Sequence, residues 1–186
     1  MTHKMDIDTF KTNFDGGTRP NRFVVEIDMG EYGDIKNQFM VKAASMPAES
    51  VGILQVPFRG RVAKLPGDRA YPEWTFTMLD EITDDIRGTF QKWHNDFNDH
   101  KENVVSHPDQ LSGVGESFGT ATVKQLDMMG NVIRCRQLMR TWPVEVGAID
   151  LSYDVADTLT EYSITLAYDY LQDCQGAGGA GGPGAN

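Results

Sequence analysis

Four histidines, two cysteines and a few clustered carboxylates are the residues of this chain whose chemistry could be catalytic or metal-binding. His94, Asp96 and His100 lie close together, with His107 further on. They straddle the end of a helical pattern and a polar loop, and they match neither HExxH nor a zinc-finger spacing. Asp84 and Asp85 are adjacent, and adjacent helix residues do not face each other. A charge pair at a helix N-terminus accounts for them better than a general acid–base pair. Ser45 and Ser50 lack the sequence of a nucleophile elbow. There is no Walker loop, and the glycines form no dinucleotide fingerprint after a strand. Cys135 and Cys174 are the only cysteines and have no paired spacing, which rules out a disulfide framework and a four-thiolate zinc site and suits a reducing compartment. The expectation is a protein with no catalytic, cofactor or metal site, and not an enzyme.

The remaining chemistry is that of charge. Asp plus Glu number 27 against 17 Lys plus Arg, a formal net charge of -10. Such a balance excludes a protein that grips nucleic acid over its whole surface, because phosphate binding needs clustered cations. It leaves room for a protein that DNA passes without sticking. The cations gather in two places. Arg59, Arg61, Lys64 and Arg69 form a locally basic stretch in an acidic chain. Three readings stand for it: a solvated hairpin, a charged contact with a partner subunit, and DNA binding. Arg134, Arg136 and Arg140 make a second cluster, in which Arg134 and Arg136 share a strand face.

The elements that carry these residues are mostly strands. At 186 residues and 40% hydrophobic content the chain suits one domain with a sizeable core. Phe23, Val25 and Ile27 alternate as one strand face, Phe39 to Ala43 reads as the returning strand, and Met46-Pro47 ends it. Val51–Pro57 and Val62–Leu65 read as a hairpin turning at Gly60, with Pro66-Gly67-Asp68-Arg69 a further turn. Trp74, Phe76 and Met78 mark another strand. The period then changes. Ile82, Ile86, Phe90, Trp93 and Phe97 fall on one face of a helix over 83–97, with Thr83 a candidate cap. Gly88 inside it suggests close packing on a sheet.

Strands at 118–126 and 131–139 turn at Met128-Met129-Gly130-Asn131, and Trp142–Gly147 reads as a bend. A last strand puts Tyr162, Ile164, Leu166, Tyr168 and Tyr170 on one face. Residues 98–117 form a long polar loop. Residues 1–20 read as an arm whose Phe10 and Phe14 dock on the chain's own domain or on a neighbour, 21–173 as the β domain, and 174–186, with six glycines from Gly176 on, as a flexible tail. No run approaches 18 apolar residues, so no bilayer span is expected, and the polar start lacks the apolar stretch of a secretory signal.

Several ordered segments carry a family resemblance: Arg19-Pro20-Asn21-Arg22-Phe23, Lys42-Ala43-Ala44-Ser45-Met46-Pro47-Ala48 and Leu65-Pro66-Gly67-Asp68-Arg69. They are followed by Trp74-Thr75-Phe76-Thr77, the helix with Asp84, Arg87, Phe90 and Trp93, Trp142–Gly147 and Ser163–Tyr170. In this series the chain resembles the tail tube proteins of contractile-tailed, T4-like bacteriophages. The resemblance implies a mainly β fold, an antiparallel β-sandwich or barrel-like domain with one flanking α-helix. It implies hexameric rings stacked into a tube inside a contractile sheath, with the hairpin around 51–65 reaching neighbouring subunits. Sheath, baseplate and tail terminator proteins are the implied partners, and the virion tail, assembled in the host cytoplasm, is the implied location. A baseplate tube initiator or the tube of a related injection system is the alternative the family leaves open. Placed on that fold, Arg59, Arg61, Lys64, Arg69, Arg134 and Arg136 are expected at contacts between subunits. Glu26 and Asp169 are candidates for an acidic lumen that DNA crosses without specific binding. The bland alternative is that the excess acid serves solubility alone.

Overall fold

The computed structural model describes residues 6–14, 17–34, 40–82, 85–99, 101–102, 117–154 and 157–174. The expected flexible tail from residue 175 on, His100, His107, Thr83, Asp84 and most of the 98–117 loop lie outside them. The described chain runs α1 (Ile7–Asn13), β1 (Phe23–Asp28), β2 (Val41–Ala44), β3 (Ser50–Phe58), β4 (Arg61–Ala70), β5 (Trp74–Leu79), α2 (Ile86–Phe97), β6 (Gly119–Leu126), β7 (Val132–Val146), β8 (Glu161–Ala167) and β9 (Tyr170–Asp173). All strand pairings are antiparallel, and the fold is mainly β, as expected.

Seven strands form one sheet in the order β1-β6-β7-β8-β5-β2, with β9 added on β7, while β3 and β4 pair apart as a two-stranded sheet. The ends of the path, β1 and β2, lie against each other, so the sheet curls towards a barrel. Alternation explains the burial. Val25 and Ile27, Trp74, Phe76 and Met78, and Tyr162, Ile164 and Leu166 all point inward, and their neighbours point out. The helix α2 plugs the interior with Phe90 and Trp93, both without exposure. Phe90 meets Phe76 edge-on at 6.3 Å between ring centres, and the Trp93 indole donates to the Ser117 carbonyl at 2.8 Å. That bond satisfies the one polar atom of a large side chain buried in an apolar core.

Several sequence expectations are corrected. The helix begins at Ile86, and Ile82 lies outside it, fully exposed. Asp85 caps the helix, its Oδ1 accepting from the Gly88 N–H at 2.8 Å. A Cβ on Gly88 would collide with that carboxylate, so the glycine serves the cap rather than packing on the sheet. The strand after β1 pairs with β5, not with β1, and Phe39 is outside the described residues. Pro66–Arg69 is not a turn but part of β4. A register shift between Val51 and Ile53 absorbs it, with Gly52 and Gly67 in close backbone approach.

All of the expected bend at Trp142–Gly147 except Gly147 belongs instead to a single 15-residue strand, β7. Up to Thr141 it pairs with β6, and from Trp142 it pairs with β8. Arg140, with a φ of 57°, lies just before this change of partner and bends the strand there. The last strand also breaks. β8 ends at Ala167, and after a break at Tyr168 and Asp169 the exposed Tyr170 opens β9, which continues along β7 in the same direction and register as the end of β8. Finally, the two cysteines are joined. The register Arg136↔Asp173 places Cys135 opposite Cys174, with Cα atoms 5.5 Å apart, and a disulfide links them. Distance along the chain concealed a pairing that the extension of β8 into β9 along β7 creates.

Candidate functional site

The candidate site is the hairpin β3–β4, because among the described residues it is the largest apolar element that the fold does not bury. Its turn is set by Arg59 and Gly60, with φ of 47° and 80°, the left-handed pair that matches strand twist in a two-residue loop. Cross-strand register sorts its side chains. Leu54, Val56 and Phe58 face the same side as Leu65, Ala63 and Arg61. Ile53 and Pro57 share the other side with Pro66 and Val62, and there Gln55 stands opposite Lys64. Every residue of both strands is exposed. Val51, Ile53, Leu54, Val56, Phe58, Val62 and Leu65 are between 40% and 66% exposed. Together they offer on the order of 600 Å² of apolar surface, at the upper end of what a monomer displays. A lone two-stranded hairpin is marginal in water, and one with two apolar faces is suited to burial on both.

Its base is held firmly. Trp74 Nε1 donates to the Ser45 carbonyl at 2.7 Å, and the Tyr168 hydroxyl donates to the Ala48 carbonyl at 3.2 Å. Burial pushes the Tyr168 phenol up from its ordinary pKa, so it stays a donor at neutral pH. Tyr71 packs on Tyr168 with ring centres 5.8 Å apart. Arg69 bonds Glu49 at 3.2 Å, and it is held further in its charged form by hydrogen bonding to Tyr71 first and by Glu49 after it.

The second basic cluster lies beside the segment that leads into the hairpin. A hollow of about 560 Å³ is lined by Met46 and Pro47 of the hairpin stem and by Arg134, Cys135, Arg136 and Asp173 of β7 and β9. Within the basic stretch the charges separate. Arg59 sits in the turn with its guanidinium 5.5 Å from the centre of the Phe58 ring, Arg61 and Lys64 face opposite sides, and Arg69 lies at the base. Arg134 is exposed, and Arg136 pairs with Asp173 at 2.9 Å. Glu26 pairs with Lys124 at 2.6 Å across β1 and β6, and Asp169 pairs with Arg140 at 3.2 Å. Arg140 also lies over the Phe118 ring at 4.9 Å, which fixes the corner of β7.

In the arm, α1 leaves Ile7, Phe10 and Phe14 exposed, and the two phenylalanines stack on each other at 5.1 Å. His94 lies in the last turn of α2. Among the described residues no group of three or more His, Cys, Asp or Glu is placed to hold a metal ion, and no helix is long and apolar enough to cross a membrane. The segment between β7 and β8 carries large apolar side chains that no strand or helix pattern singled out. Leu151, Tyr153 and Leu159 stand exposed in it, and their size among polar neighbours was the available signal.

The described chain is thus a curled antiparallel sheet filled by one helix, with an apolar hairpin standing outside its own core. The chain belongs to the phage tail tube protein family, whose model matches residues 18–172. It is 28% identical over 173 residues to the tail tube protein gp19 of Enterobacteria phage T4, covering 90% of this chain and 100% of that protein. With the tail tube protein of Serratia phage KSP90 it shares 24% over 159 residues, 82% of this chain and 86% of the other. Among solved structures it shares its fold with a chain of the anti-feeding prophage baseplate, with a TM-score of 0.63 at 12% identity over 87% of this chain and 97% of that one. A chain of the sheath–tube complex of the extracellular contractile injection system PVC gives a TM-score of 0.61 at 15% identity, over 89% and 98%.

Proposed function

We propose that this protein forms the inner tail tube of a contractile-tailed phage, as hexameric rings stacked into a conduit within a sheath. The observation that carries the reading is the β3–β4 hairpin, exposed on both apolar faces and anchored at its base by Trp74 and Tyr168. Membership of the tail tube family supports it. The number six comes from the family likeness, and an open stack follows when identical subunits meet through unlike surfaces. Arg59, Arg61, Lys64, Arg69, Arg134 and Arg136 contribute to contacts between subunits, with Arg136 already steadied by Asp173.

Sheath, baseplate and tail terminator proteins are the proposed partners, with assembly in the host cytoplasm and residence in the virion tail. DNA crosses a lumen whose wall carries Glu26 and Asp169. Lys124 and Arg140 offset these two locally, and the chain's net charge of -10 leaves acid to spare. Like charge along the bore gives phosphates no place to stall. In organisation, residues 1–20 serve as an arm, 21–173 as the tube domain and 174–186 as a tail.

The test is negative-stain imaging of the purified protein with labelling of native particles. Tubes of stacked rings, and label along the whole tail, are expected. Discrete monomers at high concentration together with absence from tails would refute the reading. Label at one end only would assign the chain to a tube initiator, the alternative reading.

A further inference from the structure

β8 and β9 form one run along β7, broken at Tyr168 and Asp169, and the two parts are held very differently. β8 has seven residues and buries Tyr162, Ile164 and Leu166 between β5 and β7. β9 has four residues, pairs with β7 alone among the described strands, and has only Leu171 half-buried. The break between them is fixed. The Asp169 N–H donates to the Met139 carbonyl at 3.1 Å, the Asp169 carboxylate meets Arg140 at 3.2 Å, and the Tyr168 side chain is buried. Past this hinge β9 is tied to β7 by its short ladder, by the Arg136–Asp173 ion pair at 2.9 Å and by the Cys135–Cys174 disulfide. The Asp173 side chain is 78% exposed, so solvent screens the ion pair and the disulfide is the strong tie.

That tie can be reached from solvent. Cys135 is buried but Cys174 is only half-buried, and both line the hollow of about 560 Å³ beside Met46, Pro47, Arg134 and Arg136. The volume falls in the range that takes small molecules. Lys124 of β6 is the cross-strand neighbour of Cys135, with its ammonium 2.6 Å from Glu26. A cation beside a cysteine favours the thiolate, which is the form in which Cys135 would leave the disulfide.

We infer that Cys135–Cys174 is an exchangeable latch on β9, opened by a small thiol of the glutathione class that enters through this hollow and closed again by the corresponding small disulfide. The incoming thiolate attacks the Cys174 sulfur, forms a mixed disulfide there and displaces Cys135 as a thiolate. Cys135 takes up the proton that the small thiol gave off. A second small thiolate attacks the outer sulfur of the mixed disulfide, departs as the small disulfide and leaves Cys174 as a thiol. Two electrons pass from two small thiols to the protein, and closure runs the same steps backwards with the small disulfide as oxidant. With the bond open, β9 swings out from the hinge at Tyr168 and Asp169 while β8 stays, because local opening takes the element with the least buried apolar surface. The backbone of β7 from Arg136 to Met139 then loses a ladder partner. The use of the latch rests on the location proposed above: thiols keep it open in the cytoplasm, and it closes outside the cell. The latch itself is a property of the single chain.

The experiment uses the purified full chain, isolated as the disulfide, in native buffer with millimolar reduced glutathione. Cysteines are alkylated at intervals and counted by mass spectrometry, and backbone hydrogen exchange is read peptide by peptide. Both cysteines should become alkylated without denaturant, through a transient glutathione adduct on Cys174. Exchange across β9 should then speed up by about tenfold or more while β5 and β8 keep their protection. An excess of oxidised glutathione should reverse both changes. The double variant C135S/C174S should show the open β9 at all times, unmoved by either form of glutathione. The inference is overturned if the cysteines react only in denaturant, if reduction leaves exchange across β9 unchanged, or if β8 loses protection together with β9. An adduct confined to Cys135 would overturn the assigned direction of attack. Should the double variant fail to fold, reduction of the natural chain still decides the matter, because both states are then read from one folded sample.

Discussion

Replacing one apolar side chain on each face of the hairpin separates assembly from folding. Ile53 and Leu54 are neighbours in sequence but face opposite sides, and they are 64% and 56% exposed. Full burial of such a side chain contributes about 1.5–3 kcal/mol. In the isolated subunit, Ile53→Ser or Leu54→Ser therefore forfeits only the fraction already covered, about 1 kcal/mol or less by the same scale. In the tube each change forfeits the remainder, about 1–2 kcal/mol per subunit, which corresponds to a rise of roughly 5- to 30-fold in the concentration needed for polymer. The assay is sedimentation across a dilution series, with melting of the soluble form as control. Both variants should lose polymer and keep their melting transition. If only one variant loses polymer, one hairpin face remains wet, and the argument from two apolar faces is refuted. If both assemble normally, or if melting falls steeply, the hairpin packs on its own domain and the site has been misassigned.

Gly119→Ala should destabilise the subunit by about 1–3 kcal/mol in denaturant unfolding, because the added Cβ would strike the Asp28 carbonyl oxygen and come within 2.9 Å of the Trp93 ring. Reducing the Cys135–Cys174 disulfide, or making Cys135→Ser, should lower the unfolding free energy by about 2–4 kcal/mol, given the 39-residue separation it closes; an unchanged melting curve in reductant would show that β9 is held without it. Asp127 is depressed below the ordinary carboxylate pKa by the Asn131 side-chain hydrogen bond first, with backbone N–H groups of Asn131, Met129 and Gly130 adding to it. A depressed folded-state pKa contributes stability above the unfolded value of about 3.9 that is lost as pH falls through the folded one, so the β6–β7 turn should hold from pH 7 to pH 5 and loosen below about 4. Carboxyl NMR titration, with Asp127→Asn as the variant lacking the transition, checks it.

What could be read from the chain alone is what local periodicity carries. Alternation at Phe23–Ile27, Trp74–Met78 and Tyr162–Leu166 marks the inward faces, and the spacing of Ile86, Phe90 and Trp93 marks the helix that fills the barrel. The hairpin was legible for the same reason, since its strands and the Gly60 turn are contiguous. Even its unusual feature was present, in that Ile53 and Leu54 are both apolar where a half-buried strand would alternate. Tertiary structure decided the rest. Pro66-Gly67 has the composition of a turn, yet pairing across the strand makes it a bulge. Trp142-Pro143 looks like a break, but β8 supplies a partner and the strand continues. Cys135 and Cys174 meet only because β9 carries the pairing of β8 on along β7, and Arg134 and Arg136 share a hollow with Met46 and Pro47 that no local pattern announces. Periodicity is a property of neighbours in sequence and follows from the geometry of strand and helix, whereas pairing, register and shared surfaces depend on which distant segments bury one another's apolar faces.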